Sequence, residues 1–289
     1  MTPHANALIW KHRRGAFDLT RQGLIMGVLN VTPDSFSDGG DYLDAADGLL
    51  RAKQLEADGA AIIDVGGEST RPGADPVDAE EEMRRVIPVI RAIRAESEVV
   101  ISIDTWKAAV ADEALRAGAD IVNDITALRG DGAMAGVALR AGAGLVLMHM
   151  LGTPATMQNN PSYHEPGLEV REFLRQRMEI SIGFGMPAQA IVLDPGIGFG
   201  KTPDHNLQIF RSIPDLASLG RPVLLGVSRK SFLGWLADAP AIPDRFWPGV
   251  ALTSLGREWG ARIFRVHDPA PHAQALRMTE AILHGMPHD

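Results

Sequence analysis

Residues 24–40 read LIMGVLNVTPDSFSDGG: an apolar run from Leu24 to Leu29 with one glycine, ended by Asn30 and a loop of Thr, Pro, Asp, Ser and Gly. An apolar run of that length between turn residues suits a strand buried on both faces, the kind found in a parallel sheet. Working outward, the same unit recurs at 61–65, 99–103, 121–122, 145–148, 191–193, 223–227 and 263–266. Between the runs lie helical patterns at 41–58, 78–96, 106–117, 132–141, 166–184, 204–219, 245–260 and 270–283. In the second of these, Met83, Val86, Ile87, Ile90 and Ile93 recur on one helical face. Gly59, Gly118, Gly142, Gly220 and Gly260 stand where helices should stop. Eight alternations predict a single (β/α)8 TIM barrel over 24–289 rather than a wide doubly wound sheet. Ahead of it, segment 1–23 carries two short apolar pieces, Leu8-Ile9-Trp10 and Phe17-Asp18-Leu19, around Arg14-Gly15, which predict an N-terminal hairpin able to plug the bottom of the barrel.

Composition narrows the function. The 289 residues carry a formal net charge of −8, which argues against a nucleic-acid partner, since phosphate-backbone binding needs basic surface. The chain has no cysteine, which removes disulfides, thiol nucleophiles and zinc–thiolate sites. The basic N-terminal segment is followed by no apolar core of a signal peptide, and no stretch approaches the roughly 18 apolar residues of a membrane span. The expectation is a soluble cytoplasmic protein. Asn30-Val31-Thr32 matches a glycosylation acceptor, but it follows a buried strand and precedes Pro33, and is discounted.

Each apolar run ends in or near a polar residue: Asn30, Asp64, Asp104, Asn123 with Asp124, His149, Asp194, Ser228 through Lys230, and Arg265 with His267. Any one of these reads equally as a boundary residue or helix cap. Eight together read as a barrel mouth, where strands of one direction gather their C-terminal ends. The side-chain period of two places Ser102 with Asp104, Ser228 with Lys230, and Arg265 with His267 on shared faces. The loop Gly66-Gly67-Glu68-Ser69-Thr70-Arg71-Pro72-Gly73 offers backbone N–H groups, hydroxyls and a guanidinium to phosphate oxygens. Residues 195–202, PGIGFGKT, resemble a nucleotide P-loop but carry Pro195 where its first glycine is required, and their glycine spacing is not the dinucleotide fingerprint. These glycines suit close approach of backbone to a flat ligand. Lys230 is read as a phosphate contact rather than a Schiff-base lysine, given Ser228 and Arg229 beside it. A metal held by His149 and His267 with Asp64 or Asp194 is a further reading, which no tight His/Asp spacing supports. The residues thus describe a barrel enzyme whose carboxylates suit a donor-rich heterocycle and whose cations suit phosphate.

The blocks LIMGVLNVTPDSFSDGG, GAAIIDVGGESTRPGA, ISIDTWKA, NDITAL, LMHMLGTPATMQ, IVLDPGIGFGKT, LLGVSRKSFLG and RVHD resemble, in order, the signatures of the dihydropteroate synthase family. The resemblance spans residues 24–268. It implies condensation of a dihydropterin-methyl diphosphate with 4-aminobenzoate in folate biosynthesis, on a barrel that is the target of sulfonamides. By matching motif it implies Asp104, Asn123, Met148, Asp194 and Lys230 around the pterin, and Asn30, Thr70, Arg71, Arg265 and His267 around the diphosphate. Asn30 is also implied as a ligand of Mg2+, the cofactor, with diphosphate oxygens and water completing its shell. Phe36, Pro72, Phe199 and Ser228 are implied to border 4-aminobenzoate. The family's path is SN1-like, with Asn30-bound Mg2+, Arg71, Lys230, Arg265 and His267 stabilising the leaving group, and loops 31–40 and 66–76 closing over it. It further implies a homodimer, with Phe246, Trp247, Trp259 and Leu276 as candidate contacts. A pterin-dependent corrinoid methyltransferase shares the barrel and carboxylates but does not need the Thr70-Arg71 loop or the Ser228-Arg229-Lys230 cluster. A non-catalytic pterin-binding paralogue would be expected to have lost Asn30, Arg71 or Lys230. Residues 237–248, rich in proline, match no signature of the family.

Overall fold

A computed structural model describes residues 7–32, 45–69, 75–238, 241 and 245–285. Eight parallel strands follow the expected runs: β3 (Leu24–Asn30), β4 (Ile62–Gly66), β5 (Val100–Asp104), β6 (Ile121–Asp124), β7 (Gly144–Met148), β8 (Ile191–Asp194), β9 (Leu224–Gly226) and β10 (Ile263–Val266). Their order is β8-β7-β6-β5-β4-β3-β10-β9, and a parallel bridge between Leu193 and Val223 closes the ring. This is the (β/α)8 barrel.

Two hydrophobic cores lie on opposite sides of the barrel wall, and strand parity decides membership. Ile25, Leu29, Ile63, Val65, Ile101, Ile103, Leu145, Leu147, Phe264 and Val266 point outward and pack under the helices. Met26, Ile62, Ile121, Val146, Val192, Leu224 and Ile263 point inward and fill the bottom of the barrel. Trp10 and Leu19 of the N-terminal segment join this inner layer. They belong to the expected hairpin, β1 (Ile9–His12) paired antiparallel with β2 (Gly15–Asp18). The Trp10 indole N–H donates to Ala190 O at 3.1 Å, so the plug is hydrogen-bonded as well as packed. Above that layer the same inward positions turn polar: Asp64 on β4, Ser102 and Asp104 on β5, Asn123 on β6, Asp194 on β8 and Arg265 on β10.

The helices are α1 (Ala45–Ala57), α2 (Ala79–Glu96), α3 (Ala108–Ala117), α4 (Met134–Ala141), α5 (Pro166–Gly183), α6 (Pro203–Arg211), α7 (Ile213–Ala217), α8 (Ser231–Leu236), α9 (Phe246–Glu258) and α10 (Pro269–His284). Two differences from the sequence reading have local causes. The helix expected over 204–219 is two helices, because Pro214 has no N–H to continue α6 and instead sits in the first turn of α7. The short α8 is absent from the sequence reading because six residues hold too few periods to stand out. Among the described residues no helix is long and apolar enough to cross a membrane.

The segment after β4 is fastened at both flanks. The Glu68 carboxylate accepts from Val77 N at 3.1 Å and from the Trp106 indole at 3.1 Å, while Arg85 donates to Gly67 O at 2.9 Å. Lys107 Nζ lies 2.5 Å from an oxygen of Glu68 and 2.5 Å from one of Glu82, both largely or wholly buried.

Candidate functional site

Asp104, Asn123, Met148, Asp194 and Lys230 line one pocket at the C-terminal end of the barrel, together with Ile125, Gly196, Ile197, Phe199, Gly226 and Arg265. The five residues expected around a pterin are therefore brought together, from β5, β6, β7, β8 and the turn after β9. Ile125, Met148 and the partly buried Phe199 give apolar walls, and the polar groups supply the directed contacts.

Each polar group is set by a neighbour. The Gly196 N–H donates to Asp194 Oδ1 at 2.7 Å. That turn requires glycine: Gly196 has φ +66°, and a Cβ there would lie 1.9 Å from His149 O. Lys230 Nζ sits 4.5 Å from the Phe199 ring centroid, a cation–π contact between two residues of the pocket lining. Arg265 donates from Nε to Asp64 Oδ2 at 2.6 Å and from an Nη to Asp104 Oδ2 at 2.6 Å. Asn123 Nδ2 donates to the same Asp64 oxygen at 3.1 Å.

Burial governs the charges. It raises the Asp194 carboxyl to about 6, against the pull of the Gly196 N–H and Lys230. It also raises Asp104, opposed by Arg265 and reinforced by Asp64. Burial lowers the Lys230 ammonium to about 8, with Asp194 opposing it. For Arg265 burial works downward, but Asp64 and Asp104 prevail and hold the guanidinium charged.

Other expected residues are placed differently. His267 Nδ1 lies 3.1 Å from the buried Ser228 Oγ, so these two form a pair beside the pocket lining. Lys230 and Arg265 line the pocket, whereas Ser228 and His267 stand just past strands that end at Gly226 and Val266, and Arg229 at φ +60° breaks the period of two expected between Ser228 and Lys230. Asn30 closes β3 opposite Gly66 and is half-buried. Phe36, Thr70, Arg71 and Pro72 lie outside the described residues.

Asp124 and His149 end their strands but serve the frame. Asp124 accepts from Thr126 N and Leu128 N, each at 2.8 Å, capping the turn after β6. His149 Nδ1 faces the buried Lys201 Nζ at 3.0 Å, and that ammonium also donates to Gly196 O and Phe199 O, each at 2.9 Å. Burial, with Lys201 and Arg129, holds His149 far below its ordinary pKa, so its neutral ring accepts from Lys201. This corrects the metal reading: among the described residues no group of three or more His, Asp or Glu is placed to hold an ion. It also explains the P-loop lookalike, whose lysine ties loop carbonyls together inside the protein. Asp64 was legible as a strand-end charge, yet its role under the pocket was missed. Its parity with Ile62 and Gly66 in the run IIDVG was the available signal.

The barrel and this pocket, lined by apolar side chains and by the carboxylates of Asp104 and Asp194, define a pterin-binding enzyme, and the family model described as pterin binding enzyme matches residues 26–267. The chain is 45% identical over 271 residues to the dihydropteroate synthase of Bacillus subtilis, covering 93% of this chain and 91% of that one. It is 43% identical over 266 residues to that of Synechocystis, covering 92% of each. A Xanthomonas albilineans dihydropteroate synthase structure with 4-aminobenzoic acid superposes with a TM-score of 0.90 at 37% identity, covering 96% of this chain and 99% of that one. A Burkholderia cenocepacia dihydropteroate synthase complexed with 7,8-dihydropteroate gives 0.86 at 40% identity, covering 96% and 97%. The chain belongs to the dihydropteroate synthase family, and is a transferase.

Proposed function

We propose that this chain condenses (7,8-dihydropterin-6-yl)methyl diphosphate with 4-aminobenzoate, giving 7,8-dihydropteroate and diphosphate for folate biosynthesis. One observation carries the reading: Asp104, Asn123, Met148 and Asp194 from four strand ends and Lys230 from the turn after a fifth strand line a single pocket. Ionised Asp104 and Asp194 accept from the ring N–H and amino groups, Asn123 offers both donor and acceptor, and Met148 lies against the ring face. Lys230 reaches the ring from the turn after β9. Phe199 and Ser228 border the incoming 4-aminobenzoate, with Phe36 and Pro72 from the flanking loops.

The chemistry is a displacement at the methylene carbon. The carbon–oxygen bond breaks first, the electron-rich pterin carries the resulting cation, and the aniline nitrogen then attacks it and loses a proton. Asn30, Thr70, Arg71, Arg265 and His267 receive the diphosphate, and Arg71, Lys230, Arg265 and His267 stabilise the charge that builds on its departing oxygen. Arg265 does so from a fixed base, since Asp64 and Asp104 hold two of its nitrogens. Asn30, half-buried at the end of β3, offers one neutral oxygen. That donor fits a Mg2+ ion brought in by the diphosphate rather than one resident in the protein. When bound, the ion would neutralise diphosphate charge. The protein works in the cytoplasm as a homodimer; of the four residues first considered for its contact, Trp247 is 70% exposed and suits it, whereas Leu276 is buried in the core.

The test is diphosphate release on mixing the two substrates, read beside affinity for a pterin lacking diphosphate. Asp104→Asn is expected to weaken pterin binding strongly. Arg71→Ala is expected to bind the ring nearly normally and to lose about two orders of magnitude in turnover, as removal of one charge-stabilising donor does. Binding without diphosphate release in the unaltered protein would favour a non-catalytic paralogue. Methyl transfer to a corrinoid would favour the methyltransferase.

A further inference from the structure

We propose that Asp64, which does not line the pocket, is its positioning residue: it dictates which end of the Asn123 amide faces the ring and holds Arg265 against Asp104. The inference rests on the pterin-pocket reading above and adds a residue to it. Asp64 is fully buried on β4, one inward layer below Gly66 and level with Ser102 of β5. Its Oδ2 accepts from Asn123 Nδ2 at 3.1 Å and from Arg265 Nε at 2.6 Å, joining β4 to β6 and to β10 from beneath.

The chemistry of the donor decides the orientation. An ionised carboxylate only accepts hydrogen bonds, whereas an amide has an accepting and a donating end. Asn123 can therefore turn only its nitrogen toward Asp64, and its oxygen is directed away from Asp64. Arg265 is held in the same way. With Nε on Asp64 and an Nη on Asp104, the guanidinium plane is fixed by two acceptors on adjacent strands, and Asp104 is held in turn. One buried carboxylate thus orients two groups that face the ligand. The whole constellation is Asp64 and Asp104 from β4 and β5, Asn123 from β6, Asp194 from β8, Lys230 after β9 and Arg265 from β10.

Asp64→Asn keeps the shape and removes the constraint, because an amide at position 64 donates as readily as it accepts and lets Asn123 adopt either orientation. Calorimetry with a diphosphate-free pterin is expected to show affinity reduced about tenfold, the loss of one well-directed hydrogen bond. In an Asn123→Ala background the same Asp64→Asn change should weaken binding less than about threefold, because much of its route to the ligand is already gone. A structural role alone would give the same loss in both backgrounds. If Asp64→Asn leaves Arg265 underpaired and the chain does not fold, Arg265→Met is compared with Arg265→Met/Asp64→Asn, where no cation remains to be paired. The tenfold difference is expected there too. Unchanged pterin affinity in a folded Asp64→Asn protein, or an equal loss with and without Asn123, overturns the assignment. Failure of the unaltered protein to bind the pterin overturns the pocket reading instead.

Discussion

Lys107 is the keystone of the frame behind the β4 loop, and Lys107→Met tests that frame. Its ammonium lies 2.5 Å from a carboxylate oxygen of Glu68 and 2.5 Å from one of Glu82, with side-chain exposures of 11% for Lys107, 12% for Glu68 and none for Glu82. Burial raises the Glu82 carboxyl, and hydrogen bonds from Lys107 and Thr105 oppose that rise. Methionine fills the stem volume but leaves Glu82 as a buried charge without its cation. Breaking such a pair from one side costs about 3–5 kcal/mol. In a domain of this size that lowers the melting midpoint by on the order of 10 °C. The loss should depend on pH with a definite sign. Without Lys107 the folded-state pKa of Glu82 moves further above its unfolded value, so the folded variant binds a proton that the unfolded chain releases. Its deficit relative to the unaltered protein then grows as pH rises and shrinks toward acid. Thermal melts from pH 5.5 to pH 8 read both effects, and Lys107→Met/Glu82→Gln should recover most of the loss. A drop below about 2 °C, or one of equal size at both ends of that range, would refute the reasoning.

Mg2+ is expected to bind productively only with the diphosphate substrate, because Asn30 alone offers too few oxygens; tight Mg2+ binding to the free protein by calorimetry would contradict this. Affinity for a diphosphate-free pterin is expected to fall as pH drops through about 6, where the raised Asp194 carboxyl takes a proton and ceases to act as a full acceptor. Raised Asp104 acts in the same direction, so an affinity constant from pH 5 to pH 8 would count against both carboxylates as ring acceptors. Trp247 on α9 is 70% exposed, and Met278 and Ile282 on α10 are 65% and 77% exposed, so these two helices hold apolar side chains out toward a proposed second copy. Trp247→Glu should shift the mass in sedimentation from dimer to monomer, whereas a monomer before substitution would exclude the contact.

The barrel was legible because its strands are long apolar runs ended by polar residues, and strand parity survives into three dimensions. Ser102 and Asp104 were read on one face and lie on one. Parity failed where the strand had already stopped, as between Ser228 and Lys230, which Arg229 at φ +60° sets apart. Asp64 shows a different limit. Its charge in an apolar run was visible, but its partner Arg265 lies 201 positions away, and a single sequence carries no trace of that pairing. Lys201 shows a third. Its motif was set aside as a P-loop on the strength of Pro195, which gave it no other role, and only the proximity of His149, 52 positions earlier, reveals that its ammonium faces inward.

Charge also bears on how the proposed substrate sits. Asp104 and Asp194 line the pocket with Asp64 beneath, and Lys230 and Arg265 line it with them. Both cations are already matched: Arg265 donates to Asp64 and Asp104, and Lys230 lies in the field of Asp194 and Asp104. A diphosphate pressed against these carboxylates would meet like charge, and two like charges about 5 Å apart repel by roughly 3 kcal/mol at an effective dielectric of 20. A neutral, donor-bearing pterin meets acceptors there instead. The ring is therefore expected among the carboxylates, with the diphosphate turned away from them. A pterin lacking diphosphate keeps the same orientation, because the carboxylates alone select it, which is why ring affinity and turnover can be separated by mutation.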